Sequence, residues 1–124
     1  YVLMNDLSVP HASFYRPPVK YKCLDGFLGV GPACIAAQAA GDPSLFTLAV
    51  HINGELRQSV DFANLVRNAA QLLADVSDFM TLHRGDVLML GCDAGRPLVR
   101  AGDRIEISAP GFEPLRNTLV QEAA

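Results

Sequence analysis

Tryptophan is absent from the 124 residues, and phenylalanine and tyrosine bring the aromatic share to only 7%. A ladder of rings on which bases could stack is therefore missing. Positive charge is also scarce, because 10 Lys and Arg stand against 13 Asp and Glu, a formal charge of −3 with no long run of either sign. Such a balance leaves no electrostatic footprint for nucleic acid. No stretch approaches the roughly 20 apolar residues that a membrane helix needs, and the start lacks a basic-then-apolar signal pattern. Cysteine is limited to Cys23, Cys34 and Cys92, an odd count at wide spacings. Free thiols in a reducing compartment fit that count better than a disulfide framework does. The expected setting is the cytoplasm, with neither nucleic acid nor membrane as a partner.

What is present is enough for one domain. The chain is 50% hydrophobic, and a chain of this length can bury a sizeable core. A single domain over residues 1–124 is expected. It begins abruptly, with Val2, Leu3 and Met4 already reading as the inside of a strand, so it is expected to lack its N-terminal portion.

Periodicity supplies the elements. Phe62, Leu65, Val66, Ala69, Leu72, Leu73, Val76, Phe79 and Met80 recur at spacings of three and four, which predicts an amphipathic helix over 62–80 with Asp61 or Ser59 as its cap. Its apolar stripe is expected to lie on a flat surface. Phe46, Leu48, Val50 and Ile52 alternate with Thr47, Ala49 and His51, a strand pattern, and Asn53-Gly54 follows at once. Asn-Gly favours a tight hairpin because both central residues of the turn need positive φ, so residues 55–59 should return antiparallel. "RGDVLML" at 84–90 and "AGDRIEIS" at 101–108 each open on Gly-Asp and continue in β-formers, which predicts two strands with shared turn chemistry. A last strand is expected near 115–120, and a short helical turn with a linker in the Ala-rich passage 36–44. The sum is an α+β, mostly β architecture, not a wound βαβ sheet. "GFLGVGP" lacks the GxGxxG order of a dinucleotide site.

The segment "YRPPVKYKCLDGFLGVGP" at 15–32 has adjacent prolines and three glycines and reads as a shaped loop. Zinc finds no support, since His11, His51, His83 and the cysteines show no ligand-pair spacing. Cys23 has no base or orienting acid nearby in sequence, and Cys34 lies among small apolar residues, a packing context. Asp6, in "MNDLS", follows an apolar run and so stands at a strand end. A carboxylate there can face a cleft and take a hard cation, or simply serve a turn.

Four stretches together resemble the C-terminal catalytic domain of the fumarylacetoacetate hydrolase family: the opening run through "SFYRPPVKYKCLDGF", then "DPSLFTLAVHINGELRQ", "LLADVSDFMTLHRGDVLMLG" and "LVRAGDRIEI". The first is the specific part and resembles the N-terminal half, or a separate first subunit, of a two-part member that isomerises and decarboxylates. The resemblance implies a mixed β-roll of layered sheets with one long flanking helix. It implies a Mg2+ or Mn2+ ion held by two glutamates, expected before Tyr1, and by Asp6. Lys22 falls at the family's active-site lysine, and Arg16, Gly91 and Cys92 would touch substrate. The implied substrates are 2-oxo or 2-hydroxy-dienoic carboxylates from aromatic catabolism. The implied assembly is a homo-oligomer or a pairing with a homologous half. Departures accompany the likeness: "GCDAG" at 91–95 replaces the family's usual GTPxG, and the arginine and glutamine that commonly follow the metal aspartate are missing near Pro10 to Ser13. They open an alternative expectation, a non-catalytic, metal-free half that supports a catalytic partner.

Overall fold

Residues 1–12, 18–91 and 94–121 are described by a computed structural model. In chain order the elements are β1 (Met4–Asp6), α1 (Val19–Lys22), β2 (Leu28–Val30), α2 (Ala37–Ala40), a 3-10 turn (Pro43–Leu45), β3 (Thr47–Ile52), β4 (Glu55–Asp61), α3 (Ala69–Phe79), β5 (Arg104–Ser108) and β6 (Leu115–Thr118). The strands form a two-stranded sheet, β1-β2, and a four-stranded sheet in the order β4-β3-β5-β6. Every described pairing is antiparallel. The architecture is α+β and mostly strand, as the alternating pattern requires.

The β3-β4 hairpin forms where Asn-Gly predicts it. Asn53 and Gly54 both take positive φ, 53° and 86°, the left-handed conformation that only a few residue types adopt at low cost. The register shifts between Val50 and His51, where Arg57 of β4 is left without a partner on β3. Along β3, β5 and β6, Val50, Ile107 and Leu115 pair across the sheet, one residue away from the row His51, Glu106 and Arg116. The two rows point to opposite faces because side chains alternate along a strand. The first row enters a core of Leu3, Ile105, Ile107 and Leu115, with Leu48, Val50 and Phe112 packed against it. Glu106 and Arg116 form an ion pair of 2.7 Å on the other face. Leu3 ties the small sheet to the large one, since it lies just before β1 and packs with the isoleucines of β5.

Several expectations are corrected. The helix starts at Ala69, not at Phe62. Phe62 is buried and its N–H donates to Phe46 O (3.1 Å), while Asp61 accepts from Ala63 N in a local turn. The cap is Asn68, not Asp61 or Ser59: its side chain accepts from Gln71 N (2.8 Å), and Gln71 Oε1 accepts from Asn68 N (3.2 Å), a reciprocal capping box. At 11 residues, α3 is shorter than the long flanking helix expected. None of its residues is buried, and Leu73 and Phe79 are 50% and 75% exposed; Ala69, Leu72 and Val76 are half-buried, so among the described residues its stripe does not enter the core.

The segment 84–90 is not a strand. Its Gly-Asp turn forms, but no described strand pairs with residues 87–90. The stretch 15–32, read as a loop, contains α1 and β2 in its described part. β2 forms there because β1 lies alongside, in the register Met4 to Val30, Asn5 to Gly29 and Asp6 to Leu28.

Candidate functional site

Asp6 is the last residue of β1, and Lys22 is the last residue of α1. Pro18 precedes α1 and its carbonyl accepts from both Tyr21 N (3.0 Å) and Lys22 N (3.1 Å). A proline is tolerated at this position because a helix start has no use for its missing N–H. The chain from β1 returns to the same place: Leu7 N donates to Phe27 O (2.9 Å) and Val9 N to Tyr21 O (2.8 Å). These bonds hold the single turn of α1 against the exit of β1.

The consequence is an ion pair. Lys22 Nζ donates to Asp6 Oδ2, across 16 residues of chain, with both side chains 30% exposed. A half-open pair of this kind adds little to stability, since screening and side-chain entropy offset its attraction. It places a carboxylate and an ammonium side by side at an accessible point. Lys20 turns elsewhere, with its Nζ 4.9 Å from the centre of the Tyr21 ring. The other side of α1 is flanked by His11, whose ring stacks on Tyr21 at 4.8 Å and 6°. Residue type and spacing give no signal for Tyr21 and His11. The stack that brings them together is visible only in three dimensions.

The structure therefore joins Asp6 and Lys22. No described bond links Gly91 to them; Ala94 accepts from Gln58 of β4 (3.4 Å). β4 is the edge strand farthest from β6, and β6 is the strand that β2 approaches. Arg16 and Cys92 lie outside the described residues. Cys23 and Cys34 are free and exposed. Among the described residues no group of three or more His, Cys, Asp or Glu side chains could hold a metal, and a single carboxylate such as that of Asp6 does not make a metal site. A carboxylate suits a hard cation such as Mg2+ or Mn2+, which takes oxygen ligands. A depression of about 420 Å³ lies across β3, β4 and β5, lined by residues such as Thr47, Ser59 and Ser108. It has no titratable side chain, so the chemistry points to the Asp6–Lys22 pair instead. No helix among the described residues is long and apolar enough to cross a membrane.

Residues 1–120 match the fumarylacetoacetate (FAA) hydrolase C-terminal family, and the chain belongs to it. It is 43% identical, over 98% of its length, to the 4-hydroxyphenylacetate degradation bifunctional isomerase/decarboxylase of Escherichia coli, and spans 28% of that relative. The maleylpyruvate hydrolase of Sphingobium sp. SYK-6 shares the fold with a TM-score of 0.79 at 33% identity, over 84% of this chain and 39% of the other. The fumarylpyruvate hydrolase of Pseudomonas aeruginosa, solved with Mn2+ and pyruvate, gives 0.77 at 28% identity, over 86% of this chain and 46% of the other.

Proposed function

We propose that this chain is part of an isomerase/decarboxylase of 4-hydroxyphenylacetate degradation, acting on 2-oxo or 2-hydroxy-dienoic di- or tricarboxylates. The observation that carries the reading is the meeting of Asp6 and Lys22, in a chain 43% identical to an enzyme named for those two reactions. Asp6 would hold a divalent cation, Mg2+ or Mn2+, together with ligands from outside the described residues. When bound, that ion supplies Lewis-acid stabilisation of negative charge on a substrate oxygen. Mn2+ with pyruvate in a relative of the same fold supports the choice of a hard cation and a 2-oxo acid.

Lys22 is the group whose work can be derived from this chain. Loss of carbon dioxide, or a proton shift along a conjugated chain, builds charge on the oxygen next to the carboxylate. An ammonium fixed beside that oxygen stabilises the charge as it forms, and its fixed position avoids reorganisation during the reaction. The contact with Asp6 holds the amine in place before substrate arrives. Arg16, Gly91 and Cys92 are proposed as substrate contacts on the family resemblance alone. Pairing with a homologous half or a second copy is the proposed assembly.

The test is Lys22→Met in the full-length polypeptide, with both reactions assayed at saturating Mg2+. The expected result is a fall of about 10² or more in kcat for at least one reaction, with Mn2+ binding retained. Wild-type rates for both would remove the lysine role and favour a non-catalytic half that supports a catalytic partner.

A further inference from the structure

We infer that Asn117, at the far end of the chain, is a positioning residue for Asp6, acting through a clasp with Asn5 over Gly29. The inference rests on the reading that Asp6 holds the cation. Asn5 is 8% exposed, the one buried polar residue among those described. Its Nδ2 donates to Asn117 Oδ1 at 3.1 Å, across 112 residues of chain. This bond runs from β1 to β6, the outer strand of the large sheet, and so crosses between the two sheets.

Alternation along β1 makes the bond relevant to the site. Asn5 and Asp6 are adjacent, so their side chains leave opposite faces of the strand. Asn5 points at β6, and Asp6 points away from it, at Lys22. Fixing one face fixes the aim of the other. Gly29 pairs directly with Asn5, and a Cβ built on it would lie 2.8 Å from Asn117 Oδ1. The absence of a side chain at position 29 is what lets the Asn117 amide sit flat against the two-stranded sheet. A three-residue strand has few ladder bonds of its own, and a two-stranded ribbon is marginal alone. This half-buried amide pair also penalises any slip, because sliding β1 would leave the buried Asn5 without a partner.

Three variants of the full-length polypeptide separate this role from simple stabilisation. Asn117→Leu keeps the volume and removes the acceptor, Gly29→Ala displaces the acceptor without removing it, and Asn117→Asp keeps an acceptor for Asn5. The readouts are Mn2+ affinity, by electron paramagnetic resonance titration, and amide exchange at Leu7 and Gly31, whose N–H groups bond to Phe27 O and Leu3 O. Asn117→Leu and Gly29→Ala should each weaken Mn2+ binding by about tenfold or more and speed exchange at both amides by a similar factor, while Asn117→Asp stays within about threefold of wild type in both. Wild-type Mn2+ affinity in Asn117→Leu, or equal losses in the Leu and Asp variants, would overturn the role. Asp6→Asn in the same titration tests the underlying reading separately. If that variant binds Mn2+ as wild type does, the reading fails, and with it the positioning role. The exchange rates still decide the clasp: faster exchange in the Leu and Ala variants but not in the Asp variant supports it, and unchanged exchange refutes it.

Discussion

The two Gly-Asp turns of this molecule are chemically the same and structurally unequal. In each, the N–H of the first residue donates to the Oδ2 of the aspartate at 2.7 Å, His83 to Asp86 and Arg100 to Asp103. In each, the aspartate N–H returns to the first carbonyl, at 3.1 and 3.0 Å, and the glycine between them takes a positive φ, 101° at Gly85 and 94° at Gly102. After the first turn no strand forms, and Val87 and Met89 stay 52% and 51% exposed. After the second, β5 runs through the sheet between β3 and β6, and Ile105 and Ile107 fall to 4% and 7%.

The difference lies in what each turn touches. Asp103 also accepts from Asn53 Nδ2 (2.8 Å), and Asn53 exchanges bonds with Arg104 in both directions: its N–H donates to Arg104 O (2.8 Å), and its Oδ1 accepts from Arg104 N (3.0 Å). Gly102 N and Asp103 O bond to Leu119. The second turn is therefore held between the β3-β4 hairpin and β6 as the chain enters β5. Nothing comparable reaches the first turn among the described residues. A turn is a local event, but a strand needs a neighbour on which to place its donors and acceptors.

The largest expected effect separates the two segments outright. Ile105→Ala should destabilise the full-length polypeptide by about 3 kcal/mol in urea unfolding, through lost burial and a residual cavity, whereas Val87→Ala should cost less than about 0.5 kcal/mol. A large effect at Val87 would mean that 84–90 is packed as tightly as β5. Next is the tie itself. Asn53→Ala removes two side-chain bonds and puts a less tolerant residue at positive φ, for an expected loss of about 2 kcal/mol. Asp86→Ala at the untied turn should cost under about 1 kcal/mol, and equal losses at the two sites would erase the contrast.

The smallest effect is a pH dependence. The side-chain bond from Asn53, followed by the backbone bond from Arg100, holds the Asp103 carboxyl below its ordinary 3.8. Its folded pKa is thus lower than its unfolded one, so its contribution is complete above the unfolded value and is lost as pH falls through the folded one. The melting-temperature gap between wild type and Asp103→Ala should be present at pH 7 and shrink steadily below about pH 4. A gap that stays constant into strong acid would contradict the charge-assisted tie.

Much of the sheet was legible in the residues. Alternation located β3, and Asn53-Gly54 set the hairpin that carries β4. The apolar pairs Ile105/Ile107 and Leu115 marked strands that the sheet then buried. The helix was legible at its end but not at its start, because Phe62 and Leu65 share the helical spacing while Phe62 is used by the core. The pair Asn68 and Gln71, an Asn followed three residues later by Gln, was the available signal for the true start. At the site, Lys22 and Asp6 came together on family resemblance, not on spacing. A one-turn helix inside a Pro-rich stretch leaves no periodicity to read, and the Asn5–Asn117 bond leaves none either, since its partners lie at opposite ends of the chain.

By itself, the order of residues determined the bends and the alternation: left-handed Asn53, the two aspartate-closed turns, the asparagine cap of α3 and the in-and-out pattern of β3 to β6. Each depends on contacts within a few positions, where chain connectivity already supplies proximity. The tertiary structure alone decided which Gly-Asp turn would feed a strand, where β1 would rest and which face of it Asp6 would occupy. Those outcomes depend on distant groups finding one another, and they hold because a buried donor or acceptor without a partner costs more free energy than the ordering needed to supply one.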